Sequence, residues 1–486
     1  VMKSHVFLPL TLNIIIIMHH YRVVKFGGSN LRSLSDIKQI LEVAGLYHQP
    51  LILVFSAFYG ITDELTEVLQ RCRENKRDIH DFTEKIRQIK YEIFDNYIED
   101  PELNEEAKRS LEQRFEELQK KLMGVHYIGD IPEFLRDEIL SYGERFSSLI
   151  FSYVLRANGI PCKELLPEDI PFYTDGEYRN ATIETELSRD HFKKYLDGTL
   201  YIIPGFYGIS RENKVNLLGR GGSDYSAAAI ANCINAESLD VWKDVDGFLS
   251  ADPDIVDDTR NVGHLTYSES AELAYFGSKI LHPRTVEPLR KYNIPVNIYN
   301  IRNVTDISKP LTVISEKGNV SREVIKSISY SDDFGIVKLG GSGVGVKPGI
   351  LARITSVLDQ ANINIKSVIT SQIAINILLD VRDLNHAERL IRNEEIKGIE
   401  SISAVSDISV VAVVGEGLTT QYGIAAKTFR AVAEKGINIE MISFGASHVA
   451  AYFIVNNACK SETVRAIHDE FFVNAPDPSV LTGNDK

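Results

Sequence analysis

The C-terminal third of the chain repeats itself. Gly341, Gly343 and Gly349 recur 74 residues later as Gly415, Gly417 and Gly423; Ile350 and Ala352 recur as Ile424 and Ala426; and Ile363-Asn364-Ile365 recurs as Ile437-Asn438-Ile439. So many matches at one offset indicate a duplicated module. Each copy reads as a strand, a Gly-containing loop, a helix (GILARITSVLDQA or GIAAKTFRAVAEK), a strand opening on NIN or INI, and a further apolar strand (IAINILLDV or HVAAYFIV). A βαββαβ unit fits that order, so the region folds as two small modules with antiparallel sheets.

The N-terminal part follows another rule. YRVVKFGGSN is an apolar strand running into Gly27-Gly28-Ser29, and SLSDIKQILEVAGLY has helical spacing. PLILVFSAFYGITDEL then gives a buried strand, a turn at Gly60 and a Thr-Asp helix start. This β-loop-α pattern belongs to a parallel sheet. Residues 62–122 lack Gly and are rich in Glu, Lys, Arg and Leu, which predicts a helical excursion serving as scaffold. Strands return at TLYIIPGFYGI, ESLDVWKDVDGFL and IPVNIYNI, with helices expected at SDYSAAAIANCI and SESAELAYFGSKIL. The polar stretch SEKGNVSREV is the best boundary. The expected organisation is an N-terminal extension over 1–17, an α/β domain over 18–316, and modules over 321–400 and 405–475, the C-terminal segment being able to complete the first module.

A chain of 486 residues with a net charge of −14 is too acidic for a general nucleic-acid binder. An anionic substrate would need positive charge concentrated at its site. Cys72, Cys162, Cys233 and Cys459 are scattered singly, which suits a reducing cytosol. VFLPLTLNIIIIM is too short to span a bilayer and lacks a cleavage site, so Met18 is the expected start and no membrane partner is expected.

Four stretches could carry chemistry. In LLGRGGSDYSAAAIA, a Gly-rich turn with Arg220 leads into an Ala-rich helix headed by Ser223 and Asp224. The N–H groups, the dipole and the guanidinium suit an anion better than a plain N-cap does. VWKDVDGFLSADPDIV holds Asp244, Asp246, Asp252 and Asp254, which read first as turn residues. In AYFGSKILHPRTVEPL, Lys279 is a candidate cation, whereas His282 reads as a helix-end residue. In ILSYGERFSSLIF, Glu144 faces solvent or holds a cationic group. Lys25 precedes its glycines, so KFGGS is no Walker A loop.

Together, KFGGSN, SAFYGITDEL, SYGERFS, LGRGGSD, VWKDVDGFLSADP and YFGSKILHPRT, followed by the duplicated module, resemble the aspartate kinases. This is a branch of the amino acid kinase family with tandem ACT regulatory domains, and the resemblance runs from Tyr21 to about residue 475. It implies a three-layer α/β/α kinase domain followed by two ferredoxin-like ACT domains. The implied reaction takes ATP and L-aspartate to ADP and 4-phospho-L-aspartate, with Mg²⁺, as the first step of lysine, threonine and methionine synthesis in the cytoplasm.

By the same resemblance Lys25 binds the transferring phosphate, with Gly27, Gly28 and Ser29, and Asp224 orients that lysine. Thr62, Glu144, Arg220 and Ser223 hold aspartate. Lys243, Asp244, Leu249, Asp254, Lys279 and Ile280 belong to nucleotide-binding segments, and no protein metal ligands are expected. Lys243 stands where a small hydroxyl residue is common, Asp254 where a basic residue is common, and Asn30 is unusual. Both charged departures bear on ATP rather than on the acceptor.

The ACT pair implies an amino-acid effector, lysine and/or threonine, and a homodimer or tetramer built through these domains. The effector region would involve Val346, Gly349, Ile350, Leu351, Thr370, Ser371 and Gln372. Lys366 stands where some lysine-sensitive members carry an acid, and Gln372 differs too, so effector identity is open. Two alternatives compete: a kinase for glutamate, acetylglutamate or a nucleotide, and a non-catalytic amino-acid sensor. Thr62 and Glu144, together with the two ACT units, disfavour the first; intact Lys25, Arg220 and Asp224 disfavour the second. No fused homoserine dehydrogenase is expected.

Overall fold

A computed structural model describes residues 20–303, 306–316, 324–418 and 421–473. The extension over 1–17, the start at Met18 and most of the boundary stretch lie outside the described residues.

The first unit opens with β1 (Arg22–Phe26), α1 (Leu34–Gly45), β2 (Leu51–Phe55) and α2 (Ile61–Arg71). The Gly-free stretch forms the long helices α3 (Arg77–Tyr97) and α4 (Pro101–Ile128), followed by α5 (Glu133–Leu140) and α6 (Tyr142–Ala157). Then come β3 (Cys162–Glu164), α7 (Thr185–Tyr195), β4 (Leu200–Pro204), the hairpin of β5 (Tyr207–Ile209) and β6 (Val215–Leu217), α8 (Gly222–Ile234) and β7 (Leu239–Lys243). The unit ends with β8 (His264–Leu265), α9 (Tyr267–Tyr275), α10 (Glu287–Arg290), β9 (Val296–Asn300) and β10 (Thr312–Ile314).

Eight of these strands form one sheet in the order β3-β4-β2-β1-β7-β9-β10-β8, parallel except where β10 runs against β9. β1 is central, with Val24 opposite Leu53 on one side and Asp240 on the other. Strand alternation feeds two cores. Val23, Ile52 and Val54 pack with the alanines of α8, while Val24, Phe26, Leu53 and Phe55 pack with α1, α2, α4 and α6. The result is the expected three-layer α/β/α architecture. Lys25, two residues from Val23, falls on the α8 face.

α9 stops at Tyr275, short of the expected helix through Leu281. Gly277 takes φ 114°, and a Cβ there would lie 2.0 Å from the Tyr330 carbonyl oxygen. The chain leaves the helix at this point because another backbone presses against it. Lys279 therefore stands in a loop.

The C-terminal part contains β11 (Ser327–Ser331), β12 (Phe334–Gly340), α11 (Ile350–Gln360), β13 (Ile365–Thr370), β14 (Ala374–Asp380), α12 (Leu384–Asn393) and β15 (Ser401–Val405). It continues with β16 (Ile408–Val414), α13 (Ile424–Glu434), β17 (Met441–Ser443), β18 (Ala450–Asn456) and α14 (Lys460–His468). The repeat is geometric: Gly349 and Gly423 cap α11 and α13 with φ of 88° and 84°.

The sheets are β13-β14-β12-β15 and β11-β16-β18-β17. Thus β11, inside the range expected for the first module, pairs with β16 of the second. The first module is completed by its own β15, beyond residue 400, and not by the C-terminal segment, whose helix α14 packs on β11 and β16. The repeat signal covers strands and helices inside each copy and does not reach these flanking strands. Among the described residues no helix is long and apolar enough to cross a membrane.

Candidate active site

A cavity of about 660 Å³ opens where the loops after β1 and β2 meet the start of α8. Lys25, Gly28, Ser29, Thr62, Glu144, Arg220, Ser223 and Asp224 all line it. Residues scattered over 200 positions converge because β1 and β2 are neighbours and α8 packs on β1.

Lys25 and Asp224 are buried and form an ion pair. The ammonium of Lys243, at the end of β7, reaches the other oxygen of Asp224 at 3.3 Å. One carboxylate thus holds two ammonium groups. Burial pushes Asp224 upward, but Lys243 and Lys25 outweigh it and keep the carboxyl well below its usual range. Burial pulls Lys25 downward, Asp224 opposes this and Lys243 adds to it. A Cβ on Gly27 would stand 3.5 Å from the Lys25 ammonium, and one on Gly28 3.2 Å from the Ala57 carbonyl oxygen. The short 3₁₀ turn Gly28–Asn30 follows, and the leading N–H groups of such a turn have no partner within it. Asn30, unusual in sequence, is buried, and its amide donates to the Trp242 carbonyl at 2.8 Å, tying this turn to β7.

On the next wall, Gly143 lets α6 close onto Ala57, since a Cβ there would come within 2.8 Å of the alanine methyl. Glu144 is thereby buried. It accepts a hydrogen bond from Ser223 Oγ at 3.1 Å, while its Oε2 has no hydrogen-bond partner among the described residues. Burial raises its pKa to about 8, against the Ala57 backbone and Ser223, which lower it.

Gly219 and Gly221, with φ of 74° and 70°, form the turn that carries Arg220. The turn is gripped from behind. His282 leaves no room for a side chain at Gly221, and Arg284 donates to the Leu218 carbonyl at 3.0 Å and to Asn180 Oδ1 at 2.8 Å while stacking over Tyr225.

Other expected residues are not brought to the cavity. Asp244 sits 3.8 Å from Arg32. Leu249 bridges to Asn261, and the Leu249 carbonyl accepts from Ser327 Oγ at 2.7 Å. Asp254 is exposed on a loop whose Ala251, Ile255 and Val256 pack into the second ACT-like core. Lys279 is exposed and Ile280 packs against the main core. In the C-terminal part, Gly345 donates to the Gln372 carbonyl at 3.0 Å, which joins the two expected effector segments, and Val346 is exposed.

Sequence reasoning missed Arg136, Asp137 and Arg179, which also line the cavity. Arg136, Leu140 and Glu144 recur at a spacing of four, a signal that could have linked them.

A family model described as "Amino acid kinase family" matches residues 21–300, and two ACT-domain models match 329–393 and 411–471. Aspartokinase 3, chloroplastic, of Arabidopsis thaliana is 30% identical over 465 residues, covering 93% of this chain and 81% of that protein. The aspartokinase of Saccharomyces cerevisiae is 26% identical, with 92% of each covered. Among solved structures, E. coli aspartokinase III in complex with aspartate and ADP matches with a TM-score of 0.78 at 23% identity, over 93% of this chain and 100% of that one, a likeness of fold.

Proposed function

The chain belongs to the aspartokinases of the amino acid kinase family, and on that premise we propose that it transfers the γ-phosphoryl group of ATP to the side-chain carboxylate of L-aspartate, under control by amino-acid end products. The observation that carries this reading is the pairing, in one cavity, of a buried lysine held by Asp224 with a buried glutamate whose second oxygen is unsatisfied. The first suits a phosphoryl group and the second an ammonium group.

The nucleophile is a carboxylate already ionised at neutral pH, with an ordinary pKa of about 4, so no general base is needed. The obstacle is repulsion between that carboxylate and the triphosphate. Lys25 and Lys243, aligned by Asp224, supply fixed positive charge to the transferring group, and the Gly27–Ser29 turn supplies N–H groups and a hydroxyl. Glu144 and Ser223 take the α-ammonium of aspartate, Thr62 adds a hydroxyl, and Arg220 takes the α-carboxylate. Mg²⁺ would be carried on the phosphates of the nucleotide. Bound there, it would neutralise phosphate charge. The nucleotide would leave the cavity past Lys243 and Asp244. Orientation of the two substrates supplies several further kcal/mol, on the order of the effects known for well-placed reactants.

Four free cysteines suit a cytoplasmic protein. Exposed Ile373 stands in the turn between β13 and β14, Ile442 in β17 and Phe444 just after it; β13 and β17 are each an outer strand of a small sheet, which suits a homodimer through the ACT domains. Lysine and/or threonine would act through the joined loops at Gly345 and Gln372. Lys366 lies away from them, its ammonium 5.3 Å from the Tyr275 ring centroid, at the contact with α9.

The test is coupled ADP release with aspartate, with glutamate and without acceptor, each repeated with lysine, threonine or both. Aspartate-dependent turnover reduced by one of these amino acids is the expected result; ADP release independent of aspartate would sink the reading.

A further inference from the structure

Arg136 is a cavity residue that the mechanism above leaves unused. It stands on α5, half-buried, and its guanidinium has no ion-pair or hydrogen-bond partner among the described residues. A guanidinium that has lost part of its hydration normally recovers it from an anion. Of the neighbouring arginines, Arg145 pairs with Glu168 and Arg179 lies 3.8 Å from Glu133, while Arg284 is spent on neutral carbonyl oxygens. Asp137, next in sequence, makes no ion pair or hydrogen bond to Arg136: its Oδ2 accepts the N–H groups of Arg179 at 2.8 Å and Leu217 at 2.9 Å, and its buried Oδ1 has no hydrogen-bond partner among the described residues.

The unsatisfied groups of the cavity are therefore informative. Among the described residues the guanidinium groups of Arg136 and Arg220 have no partner, while Glu144 Oε2 and Asp137 Oδ1 are carboxylate oxygens without a hydrogen bond. One amino-acid zwitterion complements that set, its ammonium on Glu144 and its carboxylate between the two arginines. The reacting carboxylate must instead reach Lys25 on the central strand β1. Arg136 comes from another wall, since α5 packs against α2 and β6. The anion it meets is the carboxylate that does not react.

We propose that Arg136 is a specificity-determining residue that, with Arg220, grips the α-carboxylate of the acceptor amino acid through a two-guanidinium clamp. The proposal rests on the reading of the protein as an aspartate kinase. It explains how an acidic chain selects an acceptor bearing a second negative charge: two forked donors, each able to bind a carboxylate through paired N–H groups, fix its charge and its orientation.

The experiment compares wild type, Arg136→Gln and Arg136→Lys on L-aspartate and on its α-amide, which keeps the ammonium and the reactive carboxylate. Arg136→Gln should raise the KM for aspartate roughly 10- to 100-fold, with kcat and the KM for ATP within about twofold, and Arg136→Lys should fall between. On the α-amide, read as substrate and as competitive inhibitor, Arg136→Gln should match wild type. Equal losses on both acceptors, or an unchanged aspartate KM, would overturn the clamp. If the α-amide neither reacts nor inhibits wild type, the expected discrimination is already present and the aspartate KM of Arg136→Gln decides alone. A wild type without aspartate-dependent turnover would overturn the underlying function instead.

Discussion

Glu144 accepts a hydrogen bond from Ser223 across the cavity, at 3.1 Å, and its other oxygen has no hydrogen-bond partner among the described residues. With its pKa raised to about 8 by burial, Glu144 is mostly protonated at neutral pH in the empty protein. An α-ammonium at Oε2 favours the ionised form, so aspartate binding should expel a proton. Titration calorimetry at pH 7 in buffers of different ionisation enthalpy should show release of nearly one proton per site, and affinity should rise up to about tenfold per pH unit until pH 8. Proton uptake, or buffer-independent heats, would refute this, and Glu144→Gln should abolish the effect.

The shared carboxylate of Asp224 makes a second prediction. Lys25→Ala should lower turnover by on the order of 1,000-fold or more while the protein stays folded, because the charge facing the transferring phosphoryl is lost. Lys243→Met acts differently. Lys243 is one cause of the downward shift of Lys25, so its removal raises the pKa of Lys25. The alkaline limb of the pH–rate profile, where Lys25 loses its proton, should move to higher pH, and the KM for ATP should rise about tenfold. An unmoved limb would separate Lys243 from Lys25.

Gly221→Ala tests the grip on the Gly-rich turn. A methyl there enters a left-handed backbone position and meets His282 Cβ at 2.3 Å. Strain of about 1–2 kcal/mol plus the overlap should lower the melting temperature by several degrees and displace Arg220, raising the KM for aspartate. A variant with normal stability and kinetics would show that the turn relaxes freely.

Much of this site was legible in the chain because its parts are local signals. Strand alternation puts Lys25 on the α8 face, and the Gly-Arg-Gly-Gly turn before an Ala-rich helix announces an anion site. Glu144 was undecidable, since nothing local tells that Gly143 lets α6 close on Ala57 and bury it. Arg136 and Asp137 were silent, being ordinary in an amphipathic helix until α5 is packed against α2 and β6. The loop from Leu249 to Val256 was read for its aspartates, whereas its apolar residues anchor it in the second ACT core. The swap of β11 into the second small sheet was invisible because pairing between distant strands leaves no mark in a repeat.

The last prediction concerns the joint between the units. Glu269, at the first turn of α9, is fully buried and receives the Lys326 ammonium at 2.8 Å on one oxygen and the Glu416 N–H at 2.7 Å on the other. Three segments thus meet on one carboxylate: a kinase helix, the lead-in to β11 and the turn after β16. Neither Glu269 nor Lys326 lines the cavity, so basal chemistry does not depend on them directly. Lys326→Met leaves a buried charge without its partner and should cost about 3–5 kcal/mol, whereas Glu269→Gln with Lys326→Met should recover much of that loss. In the double variant the kinase unit and the second ACT domain lose a charged tie while each keeps its own core. Turnover without effector should then stay within a fewfold of wild type, while inhibition by the effector amino acid weakens by about tenfold, a coupling loss of about 1.4 kcal/mol. Thermal unfolding read beside inhibition curves separates the outcomes: lost stability with intact inhibition would make the junction purely structural.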